Sequence, residues 1–487
     1  MAEGQIGRPV DRQTVSLTRV TSILLSGRLI GVVFGLINAI VLARVLGVTV
    51  LGEYAYAMGL VALFGLVPNS GLSTVITRAI ALDPDHNGQL FSAAQRAQVM
   101  LAMGVFAAIM ALALMLPQRL VSLSDIALAC GQLVLGSLSI PYLAVLAGRA
   151  RYDLAAIVEL SAACLGTASF LVVAAYQGGL THFLAAQIVN AVGSIVIARS
   201  VAKKYLPGNS GAACSMLALL REGIPFGAAN IVQNLYARID ILLLGQLSTP
   251  AMVGLYSAAY KPINMLVNFG ASASGTLFPY LVQEARSVSS GSFERVLKLV
   301  MVVAPAMAFL IGGLAQLIIE VLFGVDYAPA AVMLTVLAWS AAANWLYAPI
   351  GLALQARGRE RAWMVLLAAA LLINAGLNLW TIPRWGGLGA AASTLLCEGL
   401  LLCVCAVMMR RAFGAALSIQ AIPACVGATL AGLVVFVGVR ETGAITSTVA
   451  ALALYAAVLW VCRVVTASDV LKLVGRFRET AQGHARA

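Results

Sequence analysis

Apolar runs of about 20 residues follow one another along almost the whole chain, separated by short polar turns that hold most of the charges. A helix rises 1.5 Å per residue, so a run of this length crosses the hydrocarbon layer of a bilayer. Splitting the chain at charges and turn residues predicts fourteen membrane spans. They lie near 20–43, 54–76, 98–117, 126–147, 154–176, 180–198, 224–246, 253–280, 299–322, 329–354, 362–382, 387–409, 417–438 and 443–462. None of the connections is long enough to hold a folded extramembrane domain. The predicted fold class is an all-α polytopic membrane protein.

Composition agrees and narrows the classes. The chain is 61% hydrophobic and 10% charged, against roughly 45–50% and about 25% for soluble domains. That excludes a soluble enzyme, a secreted disulfide scaffold and a disordered hub. The net charge of +12 does not imply nucleic acid, because the charges sit in turns between spans. An even number of spans puts both termini on one side. Of the 31 Lys and Arg, 24 fall on the alternate segments that include the termini, and only Arg44, Arg119, Arg384 and Arg440 fall opposite. Cytoplasmic segments carry the excess of Lys and Arg, so both termini are expected in the cytoplasm.

The first 16 residues are polar and give no sign of a cleavable signal peptide. At the other end, Val470, Leu471, Val474 and Phe477 recur at helical spacing behind Ser468 and Asp469. They read either as a short interfacial helix or as a frayed basic tail. The eight cysteines lie mostly inside apolar runs and read as small apolar residues.

The chain carries an internal duplication. A shift of 202 positions places Ile37 on Ile239, Leu42 on Leu244, Gly52 on Gly254 and Tyr54 on Tyr256. A shift of 208 places Pro141 on Pro349, Leu146 on Leu354, Arg149 on Arg357, Arg151 on Arg359, and Gly178-Gly179-Leu180 on Gly386-Gly387-Leu388. Spans 1–6 thus map onto spans 7–12 with the same orientation, a parallel repeat. The expected organisation is an N-terminal lobe over 1–205, a C-terminal lobe over 206–412, an extra helix pair over 413–464 and a basic cytoplasmic tail over 465–487. Two six-helix lobes around a central cavity are a transporter plan.

Charge inside a bilayer is costly and marks candidate function. Arg28 interrupts span 1, and Arg238 and Asp240 interrupt its repeat partner, span 7; Pro225 is expected to bend the entry of span 7. Lys261 in span 8 lies about as far from the 249–250 turn as Arg238 does, which puts both near the middle of the bilayer. Two cations with one acid leave a site suited to an anion, and a guanidinium matches phosphate. The competing reading pairs Asp240 with Lys261 structurally while Arg238 snorkels. Asn230, Gln233 and Asn234 stripe span 7 as a sugar-contacting wall would. The remaining acids, Glu159 and Glu398, together with Asp240, are candidates for proton or sodium coupling. Other amides (Asn38, Asn264, Asn268, Asn374 and Asn378) read as bonds between helices. Tyr54, Tyr56, Trp339, Trp345, Trp380 and Trp385 read as interfacial anchors. No metal-binding or catalytic constellation is evident, so no cofactor is expected and an enzyme is disfavoured.

Two segments carry a family resemblance. LARVLGVTVLGEYAYAMGLVALFGLVPNSGLSTVITRAIA (Leu42–Ala81) and REGIPFGAANIVQNLYARIDILLLGQLSTPAMVGLYSAAYKPINML (Arg221–Leu266) resemble Wzx-type polysaccharide flippases, within the multidrug/oligosaccharidyl-lipid/polysaccharide exporter superfamily. The resemblance implies translocation of an undecaprenyl-pyrophosphate-linked oligosaccharide across a bacterial inner membrane by alternating access, for O-antigen, capsule or exopolysaccharide. It also implies basic cavity residues, answered here by Arg28, Arg238 and Lys261. Implied partners are the lipid-linked glycan, the bilayer, and a polysaccharide polymerase with its chain-length regulator. The alternatives are a lipid II flippase of the MurJ type and a drug/cation antiporter of the same superfamily.

Overall fold

The computed structural model describes residues 17–69, 71–83, 87–115, 120–208, 215–286, 291–413, 421–439, 441 and 443–462. The expected tail helix over 468–478 and Cys214 lie outside these, as do the side chains of Arg28 and Asn230. The chain runs through α1 (Leu17–Phe64), α2 (Leu66–Asn69), α3 (Leu72–Leu82), α4 (Gly88–Met115), α5 (Leu123–Ser137), α6 (Ile140–Gly148), α7 (Tyr152–Ala175) and α8 (Leu180–Ala202). It continues through α9 (Met216–Tyr236), α10 (Ile239–Leu247), α11 (Pro250–Arg286), α12 (Gly291–Gly313), α13 (Ala315–Phe323), α14 (Ala330–Ala356), α15 (Glu360–Phe413), α16 (Ala421–Gly438) and α17 (Ala444–Val461). Apart from two short 3₁₀ turns, no other regular structure occurs among the described residues.

By length and apolar composition, eight described helices can cross a membrane, or nine if the pair α12–α13, bent by 61°, is one broken span. The protein is therefore a multi-pass membrane protein. The described residues of the other predicted spans also fall mostly on helix, but several of these spans are broken. The expected span 54–76 breaks at Gly65, a turn residue whose N–H bonds Val61 O, and again before α3 at Gly71, which has φ 76°. The span expected over 126–147 is split between α5 and α6, where Pro141 lies in the first turn of the new helix. Pro225 lies inside α9 rather than at its start, because the helix begins at Met216. The break in span 7 comes at Ala237 and Arg238 instead.

Two long helices each contain one non-helical glycine, Gly47 (φ 74°) in α1 and Gly386 (φ 56°) in α15. A positive φ suits glycine, which has no Cβ to clash. Each glycine turns what would be one 48- or 54-residue rod into two helices.

The duplication is visible in backbone geometry. α6 ends at Gly148 and α7 starts at Tyr152; 208 positions on, α14 ends at Ala356 and α15 starts at Glu360. The turns share their closing bonds. Arg151 N donates to Leu146 O (2.8 Å) as Arg359 N donates to Leu354 O (3.0 Å), and the residues in between, Ala150 and Gly358, both have positive φ (56° and 72°).

The tightest helix contact joins the halves. α1 and α11 share the most extensive helix–helix contact in the protein. A Cβ on Gly52 would stand 1.8 Å from Pro250 O, and a Cβ on Gly254 would stand 2.0 Å from Val48 O. Under the 202 shift Val48 corresponds to Pro250, so the contact is reciprocal, as across a two-fold axis. Beside it, two helix ends cap each other across the halves. Helix α13 ends with bare carbonyls, and Arg44 donates to two of them, Leu322 O (3.1 Å) and Val321 O (2.6 Å). The first part of α1 ends at Gly47, and the hydroxyl of buried Tyr327 donates to Ala43 O (3.0 Å). A cation at a helix C-terminus also meets the negative end of its dipole. This gives Arg44 a structural reason to lie outside the predicted cytoplasmic set.

One apolar core joins both halves, with Leu42 and Phe183 packed together with Tyr256 and Leu334. Helices α16 and α17 pack on each other and against α12, where Tyr455 donates to Val302 O (2.9 Å) and packs near Phe309.

Gly52→Ala is expected to lower stability by about 1–3 kcal/mol, because the added methyl must drive two backbones apart. Gly104→Ala, in open space on α4, is expected to be neutral or to gain about 0.5–1 kcal/mol. Thermal unfolding of the purified protein in detergent compares the two. Tyr327→Phe removes one buried hydrogen bond and is expected to cost about 0.5–1.5 kcal/mol in the same measurement.

Candidate functional site

A cavity of about 990 Å³ lies between the two sequence halves, walled by α1, α7 and α8 on one side and α9, α10, α11, α14 and α15 on the other. The cavity adjoins the α1–α11 seam: Leu51, beside Gly52, and Phe323, the last residue of α13, are both on its wall.

Arg238 and Lys261 both line the cavity. Arg238 occupies the break between α9 and α10 with φ −134° and ψ −6°, outside helical geometry. Its backbone N–H turns back to Leu235 O (3.2 Å), so α10 begins afresh at Ile239. The positive end of the α10 dipole and the guanidinium therefore face the same space. Lys261, on α11, is exposed to the cavity.

Asp240 does not pair with Lys261. It is buried, accepts the hydroxyl of Tyr256 and caps the N–H of Ile241 at 2.8 Å. Neither Arg238 nor Lys261 forms an ion pair among the described residues. Through Tyr256, Asp240 pins α10 to α11.

Gln233 and Asn234, one turn before the break, line the same wall. On α11 the residues Ser257, Lys261, Asn264 and Asn268 recur at helical spacing on the cavity face, with Asn268 Nδ2 donating to Asn264 Oδ1 (3.0 Å). Asn38 and Asn374 also reach the cavity, whereas Asn378 lies behind it and donates to Asn374 (2.8 Å). Glu398 is on the wall too, 6% exposed, with Tyr236 donating to it at 3.2 Å. Glu159 lies elsewhere, exposed on α7. Arg28 and Asn230 are on α1 and α9, and their side chains lie outside the described ones.

Several wall residues had no signal in the linear pattern: Gln187, Asn344, Gln355, Tyr260 and Trp363. Tyr54 and Tyr56 correct the expectation of interfacial anchors. Tyr54 lines the cavity and accepts the amide of Gln187 (2.9 Å), and Tyr56 is buried and accepts the amide of Gln246. Trp339 and Trp345 are likewise internal, against Phe309 and bonded to Leu266 O (3.1 Å). Only Trp380 and Trp385, an exposed edge-to-face pair beside Arg384, keep the character of anchors. The described cysteines are all free; Cys130, Cys397, Cys405 and Cys425 are buried as small apolar residues.

The fold has relatives of known structure. The lipid II flippase MurJ in an inward closed conformation superposes with a TM-score of 0.68 at 14% identity, covering 90% of this chain and 98% of that one. An inward-facing MATE-family multidrug resistance transporter of the MOP superfamily gives 0.55 at 12% identity, covering 79% and 95%. In sequence, the chain is 25% identical over 166 residues to a probable low-salt glycan biosynthesis flippase, Agl15, of Haloferax volcanii. That match covers 33% of this chain and 35% of the archaeal protein, so the chain spans about a third of the relative's length. A family described as "Polysaccharide biosynthesis protein" matches residues 17–284, more than half of the chain. With the MurJ- and MATE-like fold built around this cavity, the protein is a member of the polysaccharide biosynthesis protein family.

Proposed function

We propose that this protein is a flippase that moves undecaprenyl-pyrophosphate-linked oligosaccharide units from the cytoplasmic to the periplasmic leaflet of a bacterial inner membrane. The observation that carries the proposal is the pair Arg238 and Lys261, free of ion pairs among the described residues, on the wall of one cavity shared by both halves. A pyrophosphate matches two cations and a helix N-terminus. The amides around them suit sugar hydroxyls, and the lipid tail stays in the bilayer. The family match and the glycan flippase relative support the same cargo class.

With both termini cytoplasmic, as the Lys/Arg placement requires, the closed seam faces the periplasm and the cavity faces the cytoplasm, where such a cargo is made. Release then requires the α1–α11 seam to part, which is alternating access. Asp240 and Glu398 are the acids placed to couple that motion to a proton or sodium gradient; Glu159, off the wall, is placed less well. A polymerase and a chain-length regulator would receive the cargo. A second reading, lipid II transport, is favoured by the stronger fold likeness to MurJ than to the drug transporter.

A deletion strain separates the readings. Undecaprenyl-pyrophosphate glycan is expected to accumulate in its membranes with surface polysaccharide lost. Unchanged glycan pools with lysis would indicate lipid II, and unchanged pools with drug sensitivity an antiporter. Arg238→Ala and Lys261→Ala are each expected to lower surface polysaccharide in that strain at least about tenfold while the protein stays in the membrane at normal level. Normal surface polysaccharide in both variants overturns the assignment of the site.

A further inference from the structure

The polar residues of the cavity are distributed unevenly along its depth. The cations sit at mid-depth. Between them and the seam the wall is mainly apolar (Leu42, Leu51, Ile241, Phe323), and its polar groups there are few: Ser257, Tyr54 bonded to Gln187, and Asp240 bonded to Tyr256 and Ile241. On the other side the sequence of α11 carries Asn264 and Asn268 away from the seam, about 4.5 and 10.5 Å beyond Lys261 at the rise of a helix. On α9, Gln233 and Asn234 lie on the same side of Arg238. Farther out, where α14 turns into α15, Gln355 and Trp363 complete the wall. Trp363 is braced there: its ring covers Gly351, where a Cβ would meet it at 2.6 Å, and it packs near Tyr347.

We infer that the cargo binds with its pyrophosphate innermost, at Arg238 and Lys261, and its glycan laid back along α11 toward the mouth, where Asn264, Asn268, Gln355 and Trp363 select a neutral sugar. The inference rests on the proposed flippase function. The physical argument is one of matching groups. Amides both donate to and accept from hydroxyls, and an indole face covers the apolar face of a sugar ring. The described wall of this outer half carries no cation to meet a uronic acid, and burying an unpaired carboxylate is costly. The reverse orientation would press most of the glycan's hydroxyls against Leu42, Leu51 and Phe323, with Ser257 and Tyr54 alone to answer them among the hydroxyl side chains there.

The test uses the full chain in proteoliposomes and three probes: undecaprenyl pyrophosphate carrying a neutral monosaccharide, a neutral tetrasaccharide, or the same tetrasaccharide with an outer hexose replaced by its uronic acid. The ratio of tetrasaccharide to monosaccharide flipping is read for each variant, which cancels differences in the amount of folded protein. Asn268→Leu and Trp363→Ala are each expected to lower this ratio about tenfold, whereas Lys261→Ala lowers both rates together and leaves the ratio within about twofold. The acidic tetrasaccharide is expected to move at least about tenfold more slowly than the neutral one. A ratio untouched by Asn268→Leu and Trp363→Ala, or shifted as much by Lys261→Ala, overturns the orientation. Equal rates for neutral and acidic cargo overturn the sugar class. No movement of any probe by the unaltered protein overturns the flippase reading and this inference with it.

Discussion

The close approach of two backbones at Gly52 and Gly254 governs the geometry of everything around it. Helices packed through ordinary side chains run 8–10 Å apart; here neither residue has room for a single Cβ, since 1.8 and 2.0 Å separate that position from the opposing carbonyl oxygens. In a bilayer, where lipid is as apolar as leucine, close packing of this kind is a main source of helix association. It fixes α1 against α11 at one end and lets Arg44 and Tyr327 reach across to cap the neighbouring helix ends. The cavity begins beside this contact, with Leu51 and Phe323 on its wall.

A second constraint is the cost of charge away from water. Arg238 sits at the one place in span 7 where the helix is broken, and the break gives it both reach into the cavity and the company of a helix N-terminus. Asp240, two residues on, could have neutralised it. Its oxygens are occupied instead by Tyr256 and the Ile241 N–H. The acid thus stabilises the start of α10 and the α10–α11 contact, and the positive charge at the wall is preserved.

Much of this was legible in the chain. Segment lengths predicted the helices, and counting residues from one turn put Arg238 and Lys261 at a common depth; the structure places both on the wall of one cavity. The two offsets of the duplication reappear as matched turns at Ala150 and Gly358 and as the reciprocal glycine contact. What stayed hidden depends on which way a side chain faces. Helices such as α1, α7 and α8 are apolar all round, so no stripe marks an inward face as it does on a soluble helix. Tyr54 and Tyr56 therefore looked like anchors near a span end, although the helix turn at Gly47 carries them into the interior. Gln187, Asn344, Gln355 and Trp363 are isolated polar or aromatic residues spread over three helices, α8, α14 and α15, and only the fold brings them together. Pro225 misled for a different reason: the charged residues Arg221 and Glu222 read as a turn, yet helix α9 runs through them from Met216.

The reciprocal seam makes the protein resemble a dimer whose two subunits have been joined by a single tether. Two separate subunits would have to hold together by the strength of their interface alone, and an interface that strong would resist separation. A tether keeps the partners at high effective concentration whether or not they touch. Under the proposed alternating access, even a contact as extensive as that between α1 and α11 can part and re-form, because the halves never diffuse away from each other. On that proposal, covalent linkage is what allows the meeting surface to act as a door and not only as a joint.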